Sequence, residues 1–207
     1  RVPLGSQSPD CEWNSAAPGR PVYLVGDSHA GHFAEGLILA GEELGRPVIV
    51  STTNLCPFLD VEFVDTNEGF DELNLTCREY VAGSMEWLRS ALPGTVVISN
   101  ADGYWTADRY LVGDGVSEPT GDERVKERIF TEGVHRTVAS LEAYGHDVVF
   151  VQTVPTWGGL FTPATCTTVS VAAGDCSESK TIQQAEVLQG VVRRAILEGV
   201  EGTNAYV

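Results

Sequence analysis

Four short apolar runs, each followed by a stretch of helical spacing, constrain this chain more than anything else in it. The runs are Val22 to Val25, Pro47 to Ser51 ("PVIVS"), Thr95 to Ser99 ("TVVIS") and Asp147 to Thr153 ("DVVFVQT"). They are rich in β-branched residues and apolar on consecutive positions, which is how strands buried on both faces read. Helical patterns follow at 30 to 44, about 77 to 91, about 123 to 143 and about 180 to 198, with Gly45, Pro93-Gly94 and Gly145 as stops. Repeated β-α alternation with right-handed crossovers predicts an α/β fold: a central parallel sheet in the flavodoxin-like order 2-1-3-4-5, helices on both faces. "GTNAYV" at the end reads as the opening of a fifth strand.

The 207 residues suit one such domain, and a 43% hydrophobic content suits a packed core. Residues 1 to 20, rich in Pro, Gly and Ser, read as a leader or linker, and 21 to 207 as the domain. With 29 acidic against 13 basic residues the net charge is −16, which argues against nucleic acid and anionic lipid as partners and suits a neutral sugar or ester. No apolar run reaches the roughly 20 residues of a membrane helix. No signal peptide is visible, and the chain opens at Arg1 without Met.

The five cysteines show no zinc spacing, and neither a metal nor a cofactor is expected. Loop placement pairs Cys56 with Cys77 and Cys166 with Cys176 once Cys11 is set aside, which implies an oxidising compartment. Five buried thiols in a cytosolic protein is the alternative.

The first run stops abruptly at Gly26-Asp27-Ser28-His29. In open α/β sheets ligands bind beyond the carboxyl ends of strands at the switch point, and this turn falls there. Ser28 then sits where backbone N–H groups face outward at a helix start, a place suited to a nucleophile and to an oxyanion. An ordinary N-cap by Asp27 or Ser28 is the plainer alternative. Asn100, directly after the third run, is a second candidate, although asparagine is also common in turns.

"GDSHAGH" after the first strand resembles block I of the SGNH hydrolase family, in the "GDSHA" form of soluble domains fused to acyltransferase-3 membrane proteins. Cys56-Pro57 after the second strand, Cys77 at the next helix start and Trp105 beyond the third strand extend the resemblance. It implies Ser28 as the nucleophile, with Ser28 N–H and Asn100 as oxyanion donors. It further implies a glycine donor after strand two, where this chain reads Thr52-Thr53-Asn54-Leu55-Cys56 and offers none. The base implied is the histidine of an Asp-x-x-His after the last strand, and no Asp precedes any His by three residues here. Of the four histidines, His29 adjoins Ser28 and His32 lies one turn on, so both, with Asp27 and Trp105, are expected to line the site. His146 falls at the wrong edge of the sheet, and His135 lies mid-helix, roughly 100° off the apolar stripe.

The resemblance implies an extracytoplasmic O-acyl, in particular O-acetyl, transferase. Its acyl donor would come from a membrane acyltransferase domain and its acceptor would be an envelope glycan or glycolipid. An esterase using the same nucleophile and a non-catalytic glycan-binding module are the alternatives. The missing base leads us to expect a domain truncated at its C-terminal end, continuing for a few tens of residues with an Asp-x-x-His and a partner for Cys11. Tyr104, Trp105, Tyr110, Trp157 and Phe161 are expected in loops at the site edge, to stack on a sugar or to anchor the loops. Asn74-Leu75-Thr76 forms a glycosylation sequon, without meaning if the source is bacterial.

Overall fold

The computed structural model describes residues 3–5, 11–154, 167–173 and 181–207. The four apolar runs form β2 (Val22–Gly26), β3 (Val48–Thr52), β5 (Thr95–Ser99) and β7 (Asp147–Val151), all parallel and hydrogen-bonded in the order β3-β2-β5-β7. A parallel bridge sets Tyr206 beside Val149. Tyr206 donates to Val148 O at 2.9 Å and accepts from Phe150 N at 2.8 Å, so the chain end enters the sheet beyond β7. The four runs follow the expected order 2-1-3-4, and the fifth position is held by this single bridge. Two residues of the stretch read as a leader form β1 (Glu12–Trp13), antiparallel to β3 on its outer edge. Leu4 is buried as well, its N–H bonded to Ser84 Oγ at 3.0 Å.

The sheet carries unequal layers. On one face α2 (Ala34–Glu43) packs Ala34, Leu37 and Ile38 over Val22, Leu24, Val48 and Val97. On the other lie α3 (Asp71–Ser90), α5 (Glu123–Ala143) and α7 (Ile182–Gly199), which bury Tyr80, Leu88, Phe130, Val134, Val138 and Ile196 against Tyr23, Val25, Val96 and Ile98. Local chemistry sets the helix ends. Asp122 caps α5 by accepting from Arg124 N and Val125 N, and Thr181 with Gln184 forms a capping box on α7. Gly145 leaves α5 at φ +89°, a value glycine adopts without strain.

Several boundaries differ from the expectation. The pattern over 30 to 44 divides into α1 (Ser28–Gly31) and α2. The third helix begins at Asp71, so Cys77 lies inside it rather than at its start; Asp71 and Glu72 occupy the first turn, where the helix dipole favours acids. The last strand of the four ends at Val151, not Thr153. Two loops hold an unexpected antiparallel pair, β4 (Glu62–Asp65) and β6 (Tyr110–Gly113). Too short to stand alone, that pair rests on a short helix, α4 (Gly103–Thr106): Phe63 and Tyr110 meet the Tyr104 ring at centroid distances of 5.1 and 5.3 Å.

A disulfide joins Cys56 to Cys77, tying the loop after β3 to the middle of α3. Cys11 is free, and the pair proposed for Cys166 and Cys176 lies outside the described residues. The sequon asparagine is buried: Asn74 Nδ2 donates to Asp65 O at 3.1 Å and Oδ1 accepts from Asp65 N at 2.9 Å, which docks β4 on α3.

Candidate active site

Strand β2 is central in the sheet, and its carboxyl end is built so that only one kind of residue can leave it. Gly26 has φ +141°, and a Cβ there would stand 1.9 Å from Ser99 O. Glycine at this position lets β2 press against β5 and turn at once. Beneath the turn, the buried Tyr80 hydroxyl accepts from Gly26 N at 3.3 Å and donates to Ser51 O at 2.5 Å, joining the ends of β2 and β3. Burial holds the Tyr80 phenol well above its ordinary pKa, so it stays a donor.

Asp27 follows, fully buried. Its Oδ1 caps α1 by accepting from His29 N at 2.7 Å, and its Oδ2 accepts from Ala101 N at 2.8 Å. Burial first, then the nearby Asp27 charge, raise the Tyr104 pKa far beyond that of a free phenol, so Tyr104 keeps its proton beside this carboxylate. One carboxylate thus fixes the turn after β2 to the turn after β5. Ser28, the next residue, is exposed at the start of α1.

The register brings Asn100 alongside. Gly26 pairs with Ser99, so Asp27 and Asn100 are the next residues on neighbouring strands. Asn100 is 1% exposed; its Oδ1 accepts from Phe58 N at 2.9 Å, which fixes the amide, while Nδ2 has no partner among the described residues. A buried amide nitrogen with an unused donor calls for an explanation, and an oxygen of a bound group supplies one.

A family model, the SGNH domain fused to AT3 domains, matches residues 3–206. The chain belongs to this family. Among solved structures, it is similar to the periplasmic domain of a lipopolysaccharide acetyltransferase from Salmonella ser. Paratyphi A: TM-score 0.56 at 13% identity, over 90% of this chain and 66% of that one. It therefore spans just under two thirds of that structure. A protein from Slackia heliotrinireducens assigned as an SGNH hydrolase aligns with TM-score 0.50 at 14% identity, over 90% of this chain and 77% of that one. No curated protein matches the chain significantly.

The histidines of this SGNH domain divide into two groups. His29 and His32 stand beside Ser28 with rings stacked at 5.7 Å; His32 is exposed, and His29 Nδ1 is buried without a partner. His146 is a core residue at the opposite edge of the sheet. Its Nδ1 accepts from Gly94 N at 3.1 Å and its Nε2–H donates to Leu88 O at 2.9 Å. His135, exposed on α5, meets Gly199 O at 3.1 Å through Nδ1. Among the described residues, none of these rings is hydrogen-bonded to Ser28.

The aromatic loop residues are not laid out for stacking. Trp105, expected to line the site, is 2% exposed and stacks on Phe130 at 4.3 Å, and Tyr104 and Tyr110 are buried with it. The loop closes into α4 and β6, and its rings become the packing between β4–β6 and the body. They anchor the loop. Trp157 and Phe161 lie outside the described residues. Sequence reading missed Tyr80, which supports the turn from a helix distant in sequence, and placed Tyr104 only as a loop aromatic, not as a neighbour of the Asp27 carboxylate.

Among the described residues no group of His, Cys, Asp and Glu is arranged to hold a metal, and no helix is long and apolar enough to cross a membrane.

Proposed function

We propose that this domain transfers an O-acyl group, in particular acetyl, to a hydroxyl of an envelope glycan or glycolipid by way of an acyl-Ser28 intermediate. The observation that carries the reading is an exposed serine just past the carboxyl end of the central strand, one residue beyond the row that holds the buried Asn100, whose Nδ2 is unpaired among the described residues. Ser28 Oγ attacks the acyl carbonyl carbon and gives up its proton to solvent water, while the carbonyl π electrons move to oxygen. Asn100 Nδ2 and Ser28 N–H stabilise that oxyanion, and the leaving group departs with its electron pair. The acceptor hydroxyl repeats the attack on the ester and frees Ser28. Family membership supports the acyl-ester class, and fusion to AT3 domains supports a membrane acyltransferase domain as donor on the extracytoplasmic side. The similar fold of a lipopolysaccharide acetyltransferase domain supports a glycan acceptor.

None of the chain's histidines is hydrogen-bonded to Ser28, so the proton has no partnered base and we expect slow acylation of the 207-residue chain. The test incubates it with an activated acetyl ester and maps the acetylated residue by mass spectrometry, with Ser28→Ala as control, then adds neutral oligosaccharides. Acetyl on Ser28 that passes to sugar supports transfer. Acetyl lost only to water favours the esterase. No Ser28 label, with retained sugar binding, overturns catalysis in favour of a glycan-binding module.

A further inference from the structure

The residue after β3 is Thr53, and its backbone N–H is already engaged, donating to Gly26 O at 3.0 Å. It therefore cannot serve as a backbone oxyanion donor. Its hydroxyl can. Thr53 is 1% exposed, and Oγ1 is buried without a hydrogen-bond partner among the described residues.

The sheet places this hydroxyl with respect to Ser28. Gly26 pairs with Thr52 on one side and Ser99 on the other, so Thr53, Asp27 and Asn100 form one row across β3, β2 and β5. Strand spacing puts the two outer backbones about 10 Å apart, with the turn that carries Ser28 between them. Two side chains thus flank the nucleophile turn, each with an unused hydrogen-bonding group buried away from water. An unpaired buried hydroxyl is unfavourable to the folded state and is normally satisfied. Two of them on either side of one serine point to a shared ligand atom.

We propose that Thr53 is a catalytic residue: its hydroxyl donates to the acyl carbonyl oxygen as negative charge develops there, from the side opposite Asn100. This rests on the Ser28 reading above. Thr53 Oγ1 and Asn100 Nδ2 are both shielded from bulk solvent. The donors act in a water-poor site, where a hydrogen bond to developing charge is strongest.

Thr53→Val removes the hydroxyl and keeps the shape. Because Oγ1 has no partner in the resting protein, the variant should unfold at the same temperature as the parent or higher. Its rate of Ser28 acylation by an activated acetyl ester should fall about 10- to 100-fold, and Thr53→Ser should recover most of the loss. A Thr53→Val rate equal to the parent's overturns the proposal and leaves the Ser28 reading intact. So does a loss of rate accompanied by a clearly lowered Tm, which would reveal a structural role for the hydroxyl. Labelling that persists in Ser28→Ala, or no labelling at all, overturns both.

Discussion

The Asp27 carboxylate accepts the Ala101 N–H at 2.8 Å across the boundary between β2 and β5, so the turn that carries Ser28 and the turn that carries Asn100 are one mechanical unit. Asp27→Ala leaves the Ala101 and His29 amides without their acceptor and removes the cap of α1. We expect a loss of about 2–4 kcal/mol in urea unfolding, from one cap and one orphaned buried donor. Asp27→Asn, with its NH2 set against one of two N–H donors, should recover only part of it. A change within the error of the measurement in the alanine variant would show that the two turns are held by other contacts.

The disulfide acts on the same unit from farther away. Cys56 precedes Phe58 by two residues, and Phe58 N is the donor that orients Asn100. The bond spans 21 residues in sequence, and closing a loop of that size contributes about 3 kcal/mol in the chain-entropy account. The double variant Cys56→Ala, Cys77→Ala isolates this bond from the other cysteines. Calorimetry should show Tm lowered by about 6–12 °C, and Ser28 acylation should slow as the Asn100 amide loses its fixed orientation. An unchanged Tm would refute the first statement, and an unchanged rate the second.

Alkaline stability should be limited by buried phenols. The Tyr23 hydroxyl donates to Leu92 O at 2.8 Å, and burial, with the Glu12 charge second, pushes its pKa up to about 12. A pKa raised in the folded state means that the unfolded chain loses its proton first. The stabilisation is complete below about pH 10 and is lost as pH rises towards about 12. Tyr80 and Tyr104 shift in the same direction. Chemical unfolding followed over that window should show the parent losing more stability than Tyr23→Phe, by up to about 1–2 kcal/mol once solvent screening of the half-buried phenol is allowed for. Parallel curves for the two proteins would contradict the assignment.

The strands were readable in the sequence because burial on both faces leaves an unbroken apolar signature, as in "TVVIS". Helix α5 was readable at both ends for a similar reason: Phe130, Val134, Val138 and Leu141 keep one stripe, and Gly145 ends it. Pairing of β4 with β6 was not readable. Its partners are about fifty residues apart, and its stability comes from Phe63, Tyr104 and Tyr110 packing together rather than from any local pattern. In the site, Ser28 and Asn100 could be marked from sequence because Asn100 directly follows a strand and Ser28 stands two residues past the end of one. Thr53 also follows one, but nothing in the sequence shows that its N–H is engaged by Gly26 O. Trp105 misled in the opposite sense, since an aromatic residue in a polar loop looks the same whether it faces a ligand or the core.

The engaged amide of Asn74 bears on how the protein is produced. A eukaryotic secretory pathway attaches glycans to Asn-x-Ser/Thr on chains still emerging from the ribosome, before the fold can shield the asparagine. In the folded domain that side chain is the clamp between α3 and β4, with both of its polar atoms bonded to the Asp65 backbone. An oligosaccharide installed there during synthesis would have no room once the helix docks. A yeast or insect secretory host would therefore yield a chain barred from its own fold by a modification that the finished protein is shaped to refuse.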